Sequence, residues 1–262
     1  MSIMLKKKGD LMAFIQCDFH SEVLGFGTSI NVILPKKNSS EKYPVLYLLH
    51  GLTDDHTAWQ RKTSIERYAI KKDLAVIMPT VHRSFYTDMA KGYDYWTYMT
   101  EELPEITQNF FPISQKREKN FVAGLSMGGY GAFKWALRKP EKFEAAASLS
   151  GALNMARRMF DFEDNKERME EFRLIYGDLN KVKNSNNDLF YLLKQLKDYN
   201  GKIPQLYQCC GTDDFLYKDN IMFKNLCEKE DISHYYDEEK AGHEWEYWDR
   251  KIKDIINWLP NI

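Results

Sequence analysis

Asn120-Phe121-Val122-Ala123-Gly124-Leu125-Ser126-Met127-Gly128-Gly129-Tyr130-Gly131 decides how this chain folds. Gly124 to Gly128 spells G-x-S-x-G, the spacing of a serine held at a sharp strand-to-helix turn. Strand-compatible residues (Phe121, Val122, Ala123) precede the motif, and a helix-compatible run over 130–138 follows and stops at Pro140. Such a turn strains the serine backbone, so the residues two away must be small enough for close approach. The helix then aims its free N–H groups and the positive end of its dipole at the place where negative charge develops. A glycine-rich turn with a capping serine is the plain alternative. It leaves the apolar strand and the further glycines Gly129 and Gly131 without a reason.

Outward from this stretch, strand-like and helix-like segments alternate. Residues 1–11 read as an N-terminal extension, and strand-like sequence begins at Met12. Residues 13–18 and 28–34 read as antiparallel strands, with a turn near Gly25 and Gly27 and a stop at Pro35. Residues 36–42 form a polar loop, and Val45 to Leu49 is a continuous apolar run of the kind found in buried parallel strands. A helix is expected over 63–71, a strand over 74–78, a tyrosine-rich loop over 80–98 and a helix over 101–110. After the serine turn come strands at 145–149, 206–210 and 232–236, then an aromatic helix at 244–259. This alternation predicts one α/β domain over 12–262, with a mostly parallel central sheet and helices on both faces, and the serine turn within it points to the α/β-hydrolase fold.

Residues 152–200 break the rhythm, being long, charged and helical in pattern, with Asn-rich turns at 184–187. An insertion there falls over the carboxyl ends of the strands, where open α/β sheets bind ligands, so a helical cap is expected. An extra surface helix pair without a role is the bland alternative.

Composition narrows the function. The chain has 262 residues, 44% of them hydrophobic, which suffices for one sizeable core. A formal net charge of −1 offers no general attraction to nucleic acid or anionic membrane. No run approaches 18 apolar residues, and the basic start Lys6-Lys7-Lys8 has no apolar stretch after it, so neither a membrane span nor a signal peptide is expected. The four cysteines (Cys17, Cys209, Cys210, Cys227) show no C-x-x-C or zinc-type Cys/His spacing, and no H-E-x-x-H occurs. Buried thiols in a reducing, cytoplasmic setting are expected, without metal.

A serine hydroxyl is a weak nucleophile until a base accepts its proton and a carboxylate orients that base. In this fold the chain order is serine, acid, histidine. Of six histidines, His20, His50, His56 and His82 precede Ser126, and His234 falls within a strand. His243, in Ala241-Gly242-His243-Glu244 between the last strand and the final helix, stands where the base belongs. The acid should follow the strand at 206–210, where Asp213 and Asp214 both stand; spacing does not choose between them. The oxyanion hole needs two backbone donors. Met127, after the nucleophile, supplies one, and the loop His50-Gly51-Leu52 the other, with Leu52 preferred to Gly51. Trp59, Trp96, Trp245 and Trp248 are candidates for the substrate pocket, Trp59 and Trp245 foremost, against plain packing.

These residues resemble the esterase D-like group of α/β-hydrolases, and most closely its bacterial tributyrin-esterase branch, which is acetyl- and feruloyl-esterase-like. The matching stretches are Phe19-His20-Ser21-Glu22-Val23-Leu24-Gly25, Leu48-Leu49-His50-Gly51-Leu52, Gly124 to Gly131, Cys210-Gly211-Thr212-Asp213-Asp214-Phe215-Leu216-Tyr217 and Gly242-His243-Glu244-Trp245. The resemblance implies Asp214, rather than Asp213, as the acid, and oxyanion donors at Leu52 and Met127. It also implies cofactor-free hydrolysis of short-chain acyl esters, among them acylated sugars and phenolic esters. A small-molecule ester is then the expected partner, with self-association into a homo-oligomer left open. The group's relatives include S-formylglutathione hydrolases, feruloyl esterases and mycolyltransferases, so a thioester substrate is the second reading. A non-catalytic binding protein on the same fold is the third, and the intact triad speaks against it.

Overall fold

Continuous apolar runs have become the middle of one twisted sheet, because a strand covered on both faces has no solvent side to keep polar. The computed structural model describes residues 11–36, 40–260 and 262. Its eight strands are β1 Met12–Ser21, β2 Phe26–Pro35, β3 Val45–Leu49, β4 Ala75–Pro79, β5 Asn120–Leu125, β6 Ala145–Leu149, β7 Gln205–Gly211 and β8 His234–Glu239. They lie in the order β1-β2-β4-β3-β5-β6-β7-β8, antiparallel where β2 meets β1 and β4 and parallel from β4 to β8. This is the α/β-hydrolase fold.

Period-two alternation divides each central run between two cores. Val45, Tyr47, Leu49 and Val122 face one, together with helix α5 (Met127–Arg138), and Leu46, Leu48, Phe121 and Ala123 face the other. The second core is closed by α1 (Ala58–Lys62), α2 (Ile65–Ile70) and the C-terminal helix α10 (Trp245–Trp258), whose Tyr247, Ile252, Ile255 and Ile256 are buried. Chain order reverses where β3 sits between β4 and β5. Ligands bind outside the carboxyl ends of strands at such a switch point, and His50-Gly51-Leu52 and Ser126 both lie there.

Some boundaries differ from expectation. The helix predicted at 63–71 is α2, which starts two residues later, and the short α1 ahead of it was not expected: Thr63 is extended, and its hydroxyl donates to the Trp59 carbonyl, 2.6 Å away, where α1 ends. A threonine side chain competing for a helix carbonyl in this way favours termination. The helix predicted at 101–110 begins earlier, as α3 (Tyr95–Thr97), then a π-helical turn at Tyr98–Glu102, then α4 (Leu103–Phe110). The last strand, which follows α9 (Tyr217–Lys229), runs later than the predicted 232–236. Of the predicted N-terminal extension only Leu11 lies within the described residues, and residues 37–39 of the polar loop lie outside them.

Between β6 and β7 the chain forms α6 (Met155–Arg158), α7 (Lys166–Tyr176) and α8 (Leu189–Gln195). Asn165 caps α7 by accepting from the Arg168 N–H, and Asp188 caps α8 by accepting from Phe190 and Tyr191. Leu189, Leu192 and Leu193 of α8 are buried in the core that holds α5, and the Tyr130 hydroxyl on α5 donates to the Asn187 carbonyl at 2.8 Å. This segment is therefore joined directly to the helix that starts at the serine.

Candidate active site

Ser126 sits between β5 and α5 with φ 53° and ψ −116°, a conformation that non-glycine residues rarely adopt. The turn is pinned from several sides. The Ser126 N–H donates to the Leu149 carbonyl (2.9 Å), and its carbonyl accepts from Tyr130 and Ala152 (3.1 and 3.0 Å). The motif glycines are required by close approach. A Cβ on Gly124 would stand 2.3 Å from the Gly128 carbonyl oxygen, and one on Gly128 would stand 2.4 Å from that of Leu49. Met127 is the first residue of α5, so its N–H is among those with no partner within the helix.

Of the two aspartates, Asp213 points to solvent and Asp214 is buried, its side chain wholly out of water. Asp214 Oδ1 accepts from the Leu216 N–H at 2.8 Å, and its Oδ2 lies 2.8 Å from His243 Nδ1. A carboxylate there holds the proton on Nδ1 and leaves Nε2 as the acceptor, the tautomer a general base needs. Two rings frame His243. Phe215 is tilted against it at 4.6 Å and Trp248 meets it edge-on at 4.8 Å. Trp248 is itself fixed by its indole N–H, which donates to Ser150 Oγ at 3.1 Å.

The loop after β3 approaches the same turn. His50 is buried, and the Val81 N–H donates to its Nε2 at 3.1 Å, so its proton sits on Nδ1 and is donated to the Gly51 carbonyl at 2.7 Å. Burial pushes the His50 pKa down to about 4, so the ring stays neutral. The Gly51 carbonyl also accepts from the Asp54 N–H at 3.2 Å. Because the peptide is planar and trans, fixing the Gly51 C=O fixes the Leu52 N–H in the opposite direction.

The tryptophans divide. Trp59 is only 1% exposed, and its indole N–H donates to the Leu49 carbonyl at 3.0 Å, so the expected pocket wall is a core side chain. Trp245 is half-buried and packs edge-on against both Trp59 and Trp248, at 5.3 Å in each case. Trp96 is buried beneath the Arg138 guanidinium. The roles of Phe215 and Ser150 beside His243 were not foreseen. Their only signal was adjacency, Phe215 to the acid and Ser150 to the end of β6. Among the described residues, no group of three or more His, Cys, Asp or Glu side chains could hold a metal ion.

A family model described as "Putative esterase" matches residues 21–259. The chain belongs to this esterase family. It is 34% identical to an acetyl esterase from Caldicellulosiruptor saccharolyticus, over 96% of this chain and 99% of that enzyme. Among solved structures, the substrate-bound fluorophosphonate-binding serine hydrolase FphF of Staphylococcus aureus is 37% identical with a TM-score of 0.89, covering 96% of this chain and 99% of that one. The S-formylglutathione hydrolase FrmB of Staphylococcus aureus, as apoenzyme, is 38% identical with a TM-score of 0.86, covering 96% of this chain and 100% of that one. The resemblance read from the motifs is borne out at the level of family and fold. The esterase is a serine carboxylic ester hydrolase, and the non-catalytic reading falls.

Proposed function

We propose that the esterase hydrolyses short-chain acyl esters through an acyl-enzyme on Ser126. His243 Nε2 takes the hydroxyl proton as Ser126 Oγ attacks the ester carbonyl, and returns it to the departing alcohol. Water, deprotonated by the same nitrogen, then releases the acid and restores the serine. Asp214 holds the imidazole in the required tautomer, and the Leu52 and Met127 N–H groups bind the oxyanion, each worth about 3 to 4 kcal/mol in such sites. The observation that carries this reading is the His243–Asp214 hydrogen bond, in the required chain order behind a strained Ser126. Similarity to an acetyl esterase supports a small acyl group.

The test is Ser126→Ala with p-nitrophenyl acetate and butyrate. The variant should lose turnover to near background and fail to react with a fluorophosphonate probe. Retained turnover would refute the assignment. Similarity to an S-formylglutathione hydrolase favours a second reading, a thioesterase with the same residues. A kcat/KM for S-formylglutathione far above that for p-nitrophenyl acetate would select it.

Residues 152–200 are read as a cap. In support, Arg158 of α6 lies with its guanidinium 5.3 Å from the Phe215 ring, which in turn lies on His243. Trp245 is read as a more distant wall of the substrate pocket, since it is half-buried and braces Trp248. A cytoplasmic setting is supported by four free cysteines, three of them buried, and no described helix is long and apolar enough to cross a membrane.

A further inference from the structure

Lys134 is a lysine buried in the middle of the molecule. It lies two turns along α5 from Met127, has no exposed surface, and pairs with no carboxylate among the described residues. Its Nζ donates to the Tyr86 carbonyl and to Thr87 Oγ1, both at 2.8 Å, with the rings of Trp96 and Tyr130 at 5.1 and 5.6 Å. Burying an amine in this way is costly unless its donors are met, and here a single loop meets two of them.

That loop is strained. His82, Phe85 and Tyr86 all have φ near +50°. Such residues persist only where their surroundings over-determine them, and they gather at functional sites. Tyr86 lies flat against α5: a Cβ on Gly131 would stand 2.4 Å from its ring, which accounts for that glycine in the motif. The Tyr86 hydroxyl then reaches across to the His50 carbonyl at 2.9 Å, while Val81 from the same loop donates to the His50 ring. His50 in turn holds the Gly51 carbonyl, whose peptide carries the Leu52 N–H.

We propose that Tyr86 and Lys134 are positioning residues, through which α5 sets the direction of the Leu52 N–H as well as presenting that of Met127. One rigid helix thereby registers both oxyanion donors against each other, although they come from strands on opposite sides of the topological switch. The inference rests on the oxyanion roles proposed above. Its consequence is specific. Loosening the relay should weaken binding of the tetrahedral oxyanion and leave ground-state binding alone.

Tyr86→Phe removes one oxygen and keeps the ring on Gly131; Lys134→Met removes the anchoring amine. For each variant, kcat and KM for p-nitrophenyl acetate are measured with the inhibition constant of an alkyl trifluoromethyl ketone, whose serine adduct carries an oxyanion. The expected result for Tyr86→Phe is a kcat lower by about tenfold to a hundredfold, KM within twofold, and an inhibition constant raised by a similar factor. Lys134→Met should follow the same line if it folds; if it does not, Tyr86→Phe decides alone. A kcat within twofold of the parent, or a fall in kcat with an unchanged inhibition constant, overturns the proposal. Ser126→Ala run in parallel separates the two levels. If it is inactive while Tyr86→Phe matches the parent, only the relay fails; if it remains active, the underlying serine mechanism fails.

Discussion

Asp214→Asn puts the arrangement around His243 to a direct test, because the direction of the new amide can be worked out. The Leu216 N–H donates to Asp214 Oδ1 at 2.8 Å, and a backbone donor cannot turn into an acceptor. The asparagine oxygen must therefore take that place, which puts its NH₂ where Oδ2 now lies, 2.8 Å from His243 Nδ1. Two donors cannot face each other, so the imidazole moves its proton to Nε2 and accepts at Nδ1. Nε2 then carries a hydrogen and has no lone pair for the Ser126 proton.

Comparable substitutions in serine hydrolases lower kcat by about 10⁴, and about 10³ to 10⁴ is expected here, equivalent to about 4 to 5.5 kcal/mol in the barrier. KM should change little, since the amide touches no substrate. The assay is kcat and KM with p-nitrophenyl acetate near neutral pH, with a thermal melt to establish that the variant is folded. Asp213→Asn is the control. Its side chain points to solvent and should leave kcat within twofold. A loss below tenfold in Asp214→Asn, or a loss carried entirely by KM, would refute the tautomer argument.

Three further outcomes are expected. Ser126→Gly should abolish turnover yet raise stability by about 1 kcal/mol net, because glycine relieves the positive φ while costing more entropy on folding; an unchanged or lower melting temperature would contradict stored strain at the elbow. Gly124→Ala should destabilise by about 3 kcal/mol, since its Cβ would meet backbone that cannot step aside, and a melting temperature within a degree of the parent would disprove that contact. For pH, burial lowers the His50 pKa from 6.5 to about 4, so between those values the unfolded chain binds a proton that the folded one refuses. The stability from keeping this ring neutral is complete above pH 6.5 and falls by about 3 kcal/mol as pH drops toward 4. Nitrogen-15 NMR should find His50 neutral at pH 5.5, and a doubly protonated ring there would refute the reading.

The framework of the candidate site was legible because each part is announced by a local rule. Strands buried on both faces show as unbroken apolar runs, and β3 and β6 fall where those runs predicted them. The elbow shows as glycines around a serine because a Cβ on Gly124 or Gly128 would strike backbone, a constraint written into a few adjacent residues. The short helix α1 gave no such signal, because five residues are too few to show a helical period and the Thr63 hydroxyl closes it on the Trp59 carbonyl.

The groups that aim the chemistry obey no such rule. Asp213 and Asp214 are equivalent by spacing, and the choice between them rests on which one α10 and its preceding loop come to meet, through His243. Trp59 and Trp248 look alike as aromatic residues, yet one donates its indole N–H to β3 deep in the core and the other, packed against His243, donates to Ser150. The tyrosine-rich loop over 80–98 carried no period, but it holds three positive-φ residues and makes the link from Lys134 to His50. Each of these contacts joins residues 29 to 98 positions apart, apart from the 10-residue span of Trp59 to Leu49. A reactive centre can thus be recognised by what its own backbone must do. The direction in which its donors point is decided by elements that meet only after the sheet has formed.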